Sequence, residues 1–345
     1  MKIKTGTFGK TEAGEVKYYM LTNKNGYSCT IINYGATLVS FKMPDRHGKT
    51  EEITLGFDNI QDYLTRSPYF GATIGRFANR ISRAAFTIDG TEYKLIPNEG
   101  ENQLHGGPGG LHTLLWDGDV FNNDYSATIV LSCSSPDGDQ GYPGNLSVTT
   151  SYTLTENNEL VMEYLAETDK KTHVNLTNHA YWNLAGAGSG KIYDHILYLD
   201  CTHYLPVDNE SIPTGEKKQV TGTAFDFTTE KPIGRDIEKI PPGYDHCMVL
   251  REHNPYDPVA FARVEEPSSG RCMEISTTKP GVQFYTGNHL NDIEIADKKI
   301  ARRHEAFCLE TQYFPDTPNK ENFPSSLLEP DKTYRQKTVY KFFTK

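Results

Sequence analysis

The chain has 345 residues, 37% of them hydrophobic, with a formal net charge of −10 and a pI of about 5.6. That length and apolar content allow a sizeable core, and the acidic balance argues against nucleic acid or an anionic membrane surface as the main partner. Six dispersed cysteines (Cys29, Cys133, Cys201, Cys247, Cys272 and Cys308) never form Cys-x-x-Cys, so neither a disulfide framework nor a zinc knuckle is expected.

The first residues carry no apolar stretch of the secretory kind, and no window approaches the ~18 apolar residues of a membrane span, so a soluble cytoplasmic protein is predicted. Strands are predicted around 28–42. Residues 59–64 predict a short helix, and little else extends beyond two helical turns. Phe86 and Ile88, the pair Asp89-Gly90, then Tyr93 and Leu95 predict a hairpin. A strand follows around 126–132. Next, Leu146, Val148, Thr150, Tyr152 and Leu154 share one face while serines and threonines take the other, the period of two that marks a half-buried strand. After the turn Glu156-Asn157-Asn158, the aligned Leu160, Met162, Tyr164 and Ala166 predict its hairpin partner. Further strands are predicted around 272–277 and 338–343.

Twenty-one tyrosines, sixteen phenylalanines and many threonines fit a pleated framework. Pro and Gly are spread along the chain, with no linker and no repeat. The expectation is an all-β protein, a single large antiparallel β-sandwich over residues 1–345, with function on strand ends and loops.

Several familiar motifs fail. Gly48-Lys49-Thr50 resembles the end of a phosphate loop, but Met43 stands where its first glycine belongs. The run His105-Gly106-Gly107-Pro108-Gly109-Gly110 has no strand-to-helix setting around it. His304-Glu305 is followed at the zincin position by Cys308. The spacing of His173, His179, His195 and His203 matches no metal set, so no metal is expected unless the fold gathers its ligands.

What remains is a sparse polar set among apolar or glycine neighbours. Asn175-Leu176-Thr177-Asn178-His179-Ala180-Tyr181-Trp182-Asn183-Leu184 offers one titratable donor, neutral amides and flat rings. That mixture suits a small, uncharged, polyhydroxylated ligand, although a core histidine would look the same. Asn79 and Arg80 lie between Phe77, Ala78 and Ile81; the plainer alternative is an arginine paired with a carboxylate at the core edge. His105 is either a turn histidine or a group against which a ligand and backbone approach closely. Asp245 follows Pro241-Pro242-Gly243-Tyr244 and either points inward or makes an Asx turn. Gln283, among aromatics, suits a sugar hydroxyl or plain packing. Glu310, in Ala306-Phe307-Cys308-Leu309-Glu310-Thr311, is the sharpest, because an unpaired buried carboxylate is costly unless salt-bridged or held for proton transfer.

Taken in order, these segments resemble the galactose mutarotases, or aldose 1-epimerases. The blocks are Gly75 to Ile81, Leu104-His105-Gly106-Gly107 with Gly110 and Trp116, and Ser135-Pro136-Asp137-Gly138 with Gly141-Tyr142-Pro143-Gly144. They continue with Asn175 to Gly186, Tyr204 to Asp208, Tyr244-Asp245-His246, Pro280 to Asn288 and Leu309-Glu310-Thr311-Gln312. The resemblance implies a β-supersandwich and interconversion of the α and β anomers of galactose, and of glucose and related aldoses, with no cofactor. It implies Glu310 as general base, His179 as general acid and His105 as a second active-site histidine, with Asn79, Arg80, Tyr181, Asp245 and Gln283 around the sugar.

At ordinary pKa values Glu310 would be ionised at neutral pH, and a nearby carboxylate would favour protonated His179. The rival readings are an inverting glycoside hydrolase, which needs two carboxyls, a hexose-6-phosphate 1-epimerase, which needs companions for Arg80, and a non-catalytic sugar-binding module. The expected partner is a small aldohexose, and the sequence does not separate a monomer from a weak homodimer.

Overall fold

A computed structural model describes residues 1–345. Three antiparallel sheets form its frame. The first is a meander of five strands in chain order, Lys2–Thr11, Gly14–Thr22, Ser28–Ile32, Thr37–Pro44 and Thr50–Glu52. The predicted 28–42 region is thus a hairpin, folded back at Gly35 and Ala36, both with positive φ.

The second sheet has nine strands, and its centre is long-range. The two predicted strands of the middle form the hairpin Leu146–Thr155 with Glu159–Thr168, and Tyr152 faces Met162 across it. The C-terminal strand Tyr334–Thr344 then inserts between Glu159–Thr168 and Arg271–Thr277. The third sheet, five strands ending in Asp245–Leu250, Gly281–Tyr285 and Cys308–Gln312, carries most of the acidic and amide candidates.

Alternation decides which side of each strand enters the core. Leu309, Phe284 and Met248 of the third sheet share one buried cluster with Ile31 and Phe41 of the first and with Met162, Tyr340 and Phe342 of the second. Phe41 stacks on Phe342 at 4.1 Å and meets Trp182 edge-on at 5.9 Å. Trp182 is fully buried, so the packing that joins two sheets also anchors the segment bearing His179.

The one α-helix is Ile60–Arg66, where a helix at 59–64 is predicted. Asn59 caps it, its side-chain oxygen accepting from the Asp62 amide at 3.0 Å, and Ile60 and Tyr63 are its buried face. The Asp89-Gly90 turn is observed with both residues at positive φ, between Ala85–Ile88 and Thr91–Lys94. No helix is long and apolar enough to cross a membrane.

Candidate active site

The site begins on the third sheet. In register, Glu310 faces Gln283, Gln283 faces Cys247, and Tyr285 faces Asp245 on one side and Cys308 on the other. Directly opposed residues share a face, so Asp245, Gln283, Cys308 and Glu310 all stand on the side away from Leu309, Phe284 and Met248. Gln283 Nε2 donates to Asp245 Oδ1 at 2.6 Å. That leaves Gln283 Oε1 and Glu310 Oε2, both buried, with no protein partner. Two acceptors of this kind ask for hydrogen from a ligand or solvent.

His179 reaches the same face from an irregular segment. Only Thr177–Asn178 is strand, paired with Thr73–Ile74, whereas the sequence suggests a strand-like setting throughout. Backbone bonds fix the residue on both sides: His179 N donates to Ala72 O at 3.0 Å, and His179 O accepts from Gly71 N at 2.9 Å. Gly71 has φ +63° and lies so close to Leu38 that a Cβ would meet its carbonyl oxygen, a position only glycine fills. The imidazole Nε2 is 3.7 Å from Glu310 Oε1, both side chains being nearly fully buried. Its Nδ1 lies 3.6 Å from Cys308 Sγ.

His105 completes the set, its ring 5.2 Å from His179 and edge-on to it. Its Nδ1 accepts the backbone N–H of Asn79 at 3.2 Å, so in the neutral ring the proton sits on Nε2. The donor atoms of His105, His179 and Glu310 fall within 4.8 Å of one another, a grouping their spacing in sequence does not reveal. Metal ligation through His105 Nε2 would require the proton on Nδ1, against the Asn79 donor. The arrangement fits a hydroxyl acceptor better than a cation.

Burial governs the electrostatics. It raises the Glu310 carboxyl well above its usual range, with Asp245 adding to the shift and Arg80 opposing it. It lowers His179 to about 4 and pushes His105 well down, the latter helped by His179 and Arg80. Ordinary pKa values therefore do not describe this site: desolvation outweighs the attraction of the pair and favours neutral forms.

The aldose 1-epimerase family model matches residues 17–341. The chain belongs to the aldose 1-epimerase family. With it the protein is placed among the isomerases. It is 44% identical to the galactose mutarotase of Bos taurus over 96% of this chain and 95% of that one. It is 36% identical to the aldose 1-epimerase of Escherichia coli K12 over 94% and 95%. Among solved structures, an aldose epimerase homologue from C. elegans superposes with a TM-score of 0.86 at 31% identity, over 94% of this chain and 98% of that one. The antiparallel sandwich is thus the fold of the aldose 1-epimerases.

Other candidate positions take more specific places in this member of the family. Arg80 has the carboxylate partner of the plainer alternative, Glu99, while remaining beside the site. Asn79 offers its backbone N–H to His105 and its side-chain oxygen to Arg80 N. Tyr181 stacks on His179 at 5.0 Å, with its hydroxyl donating to Pro68 O. The asparagines of the 175–184 run, read from sequence as ligand groups, serve the backbone instead. Asn175 bonds to Ala78 and Tyr313, and Asn183 to Gly190 and Glu305, while Asn178 Nδ2 donates to Gly71 O and to the Tyr152 hydroxyl and its Oδ1 has no protein partner. An irregular segment leaves neighbouring amides and carbonyls unpaired, and these side chains fill the deficit. His173, His195 and His203 lie elsewhere, on Ser326, Leu184 N and Thr202.

Two residues at the site escape sequence reasoning. Tyr69 presents its ring to His105, His112 and His179 at 4.8, 5.0 and 5.9 Å. Glu99 holds Arg80. Neither sits in a patterned segment. Cys308 was readable, because alternation from Glu310 puts it on the same face.

Proposed function

We propose that the protein interconverts the α and β anomers of galactose, and of glucose and related aldoses, by opening and reclosing the pyranose ring. The observation that carries this reading is the buried Glu310–His179 pair, with its open carboxylate oxygen. Glu310 takes the proton of the anomeric hydroxyl as the C1–O5 bond breaks, and His179 Nε2 protonates the ring oxygen. The aldehyde turns about C1–C2. Reclosure through the other face returns the O5 proton to His179 and the Glu310 proton to O1, so the protein ends as it began. His105 donates from Nε2 to a sugar oxygen, and Asp245, Gln283, Asn79 and Arg80 orient the ring. Tyr181 supports this by holding the His179 plane.

The ligand in this reading is uncharged. Arg80 already has its charge matched by Glu99, which disfavours a phosphorylated sugar. Polarimetry of fresh α-galactose, α-glucose and α-xylose tests the proposal. Accelerated mutarotation with galactose is the expected result, and binding without acceleration would identify a non-catalytic module.

The pair also sets the pH range. A carboxylate with an imidazolium and a carboxylic acid with an imidazole hold the same number of protons, so the opposed shifts leave the working proton in place. Below about pH 4, where His179 is charged, the pair holds two protons and Glu310 cannot accept. Above the raised Glu310 value it holds none, and the ring oxygen has no donor. We expect kcat/KM to rise through about pH 4 and to fall only well above the ordinary carboxylate range. A rate that keeps rising with pH would contradict this assignment.

A further inference from the structure

We propose that Glu99 is a positioning residue for sugar binding, aiming the Arg80 guanidinium so that its remaining N–H groups are left for the ligand. The inference rests on the reading above that Arg80 binds the sugar. Arg80 Nε donates to Glu99 Oε2 at 2.5 Å and Nη2 donates to Oε1 at 2.8 Å. This fork fills one edge of the planar group, so both N–H groups of Nη1 and the second of Nη2 remain free. The arginine side chain is only 13% exposed and the carboxylate 39%. The carboxylate is the more open of the two, so solvent screens part of the attraction. What the pair fixes is direction.

Glu99 is itself held in a tight turn. Glu99 N donates to Asn102 O at 3.1 Å, and Asn102 N donates back to Glu99 O at 3.0 Å. Asn98 closes the loop, its side chain accepting from Leu104 N at 2.7 Å and donating to Leu104 O at 3.0 Å. Leu104 in turn pairs with Arg80, and Gln103 with Ile81. The next residue is His105, tied to Asn79 through Nδ1. A single turn over residues 98–105 therefore delivers both the carboxylate that orients Arg80 and the histidine beside His179. Two ligand-facing groups are set against each other by one short clasp, and Glu99 is its side-chain contact to the arginine.

Steady-state anomerisation of galactose by Glu99→Gln, Glu99→Asp, Arg80→Ala and the Glu99→Gln/Arg80→Ala double variant tests this. Glu99→Gln is expected to raise KM about tenfold, the scale of one charge-assisted contact, with kcat within about twofold. Its thermal midpoint should match the parent protein, and Glu99→Asp should fall between the two in KM. In the Arg80→Ala background, Glu99→Gln should add nothing. If Arg80→Ala raises KM and Glu99→Gln does not, the role of Glu99 is overturned while the sugar-binding reading of Arg80 stands. If Arg80→Ala leaves KM unchanged, that reading falls and this inference with it. Fully additive effects, or a lowered midpoint with KM unchanged, would reduce Glu99 to a structural residue.

Discussion

Glu310→Gln is expected to lower galactose anomerisation by roughly 10²–10⁴-fold, the usual contribution of one positioned acid–base group. The substitution keeps the shape of the side chain and removes only its basicity. Folding should not suffer. Glu310 is buried, and its one ion-pair contact is with His179 at 3.7 Å, so a charge there is held at the expense of solvation. Because its folded-state pKa is raised, the carboxyl favours the native state below its unfolded value. That contribution is lost as pH rises through the folded value. The Gln variant should therefore unfold at an equal or higher temperature than the parent at pH 7, and the gap should close toward pH 4. Polarimetry and thermal unfolding on one preparation read both effects. A near-native rate with an unchanged pH profile would remove Glu310 from the chemistry.

His179→Asn is expected to lose a comparable factor, through the proton due to the ring oxygen. The neighbouring geometry makes the loss specific. Tyr181 lies parallel to the imidazole at 5.0 Å, and the backbone of His179 is pinned to Gly71 and Ala72. The variant thus keeps its backbone ties and forfeits the stacks on Tyr181 and Tyr69, about 0.5–1.5 kcal/mol each. Since acid and base act in the same step, the double variant Glu310→Gln/His179→Asn should be little slower than the slower single variant. Losses that multiply would mean that the two groups serve separate steps.

Much of the frame was legible in the sequence, because a period of two needs no distant information. The hairpin of residues 146–168, the Asp89-Gly90 turn and the facing of Glu310 away from Leu309 all follow from alternation. The insertion of the C-terminal strand between two others could not be read this way. Residues 175–184 misled, because amides that look ready for a ligand serve an irregular backbone. Tyr69 and Glu99 reach the site through folded loops and carry no local pattern. The charge state was the deeper miss. Ordinary pKa values suit exposed groups, while Glu310 and His179 share a buried pocket where desolvation reverses the preference.

A crystal structure of the Glu310→Gln variant with galactose bound tests the central claim most directly. The account predicts O1 of the sugar within about 2.6–3.2 Å of the residue 310 amide, and O5 within the same reach of His179 Nε2. A pyranose whose anomeric centre lies beyond reach of either side chain would contradict it.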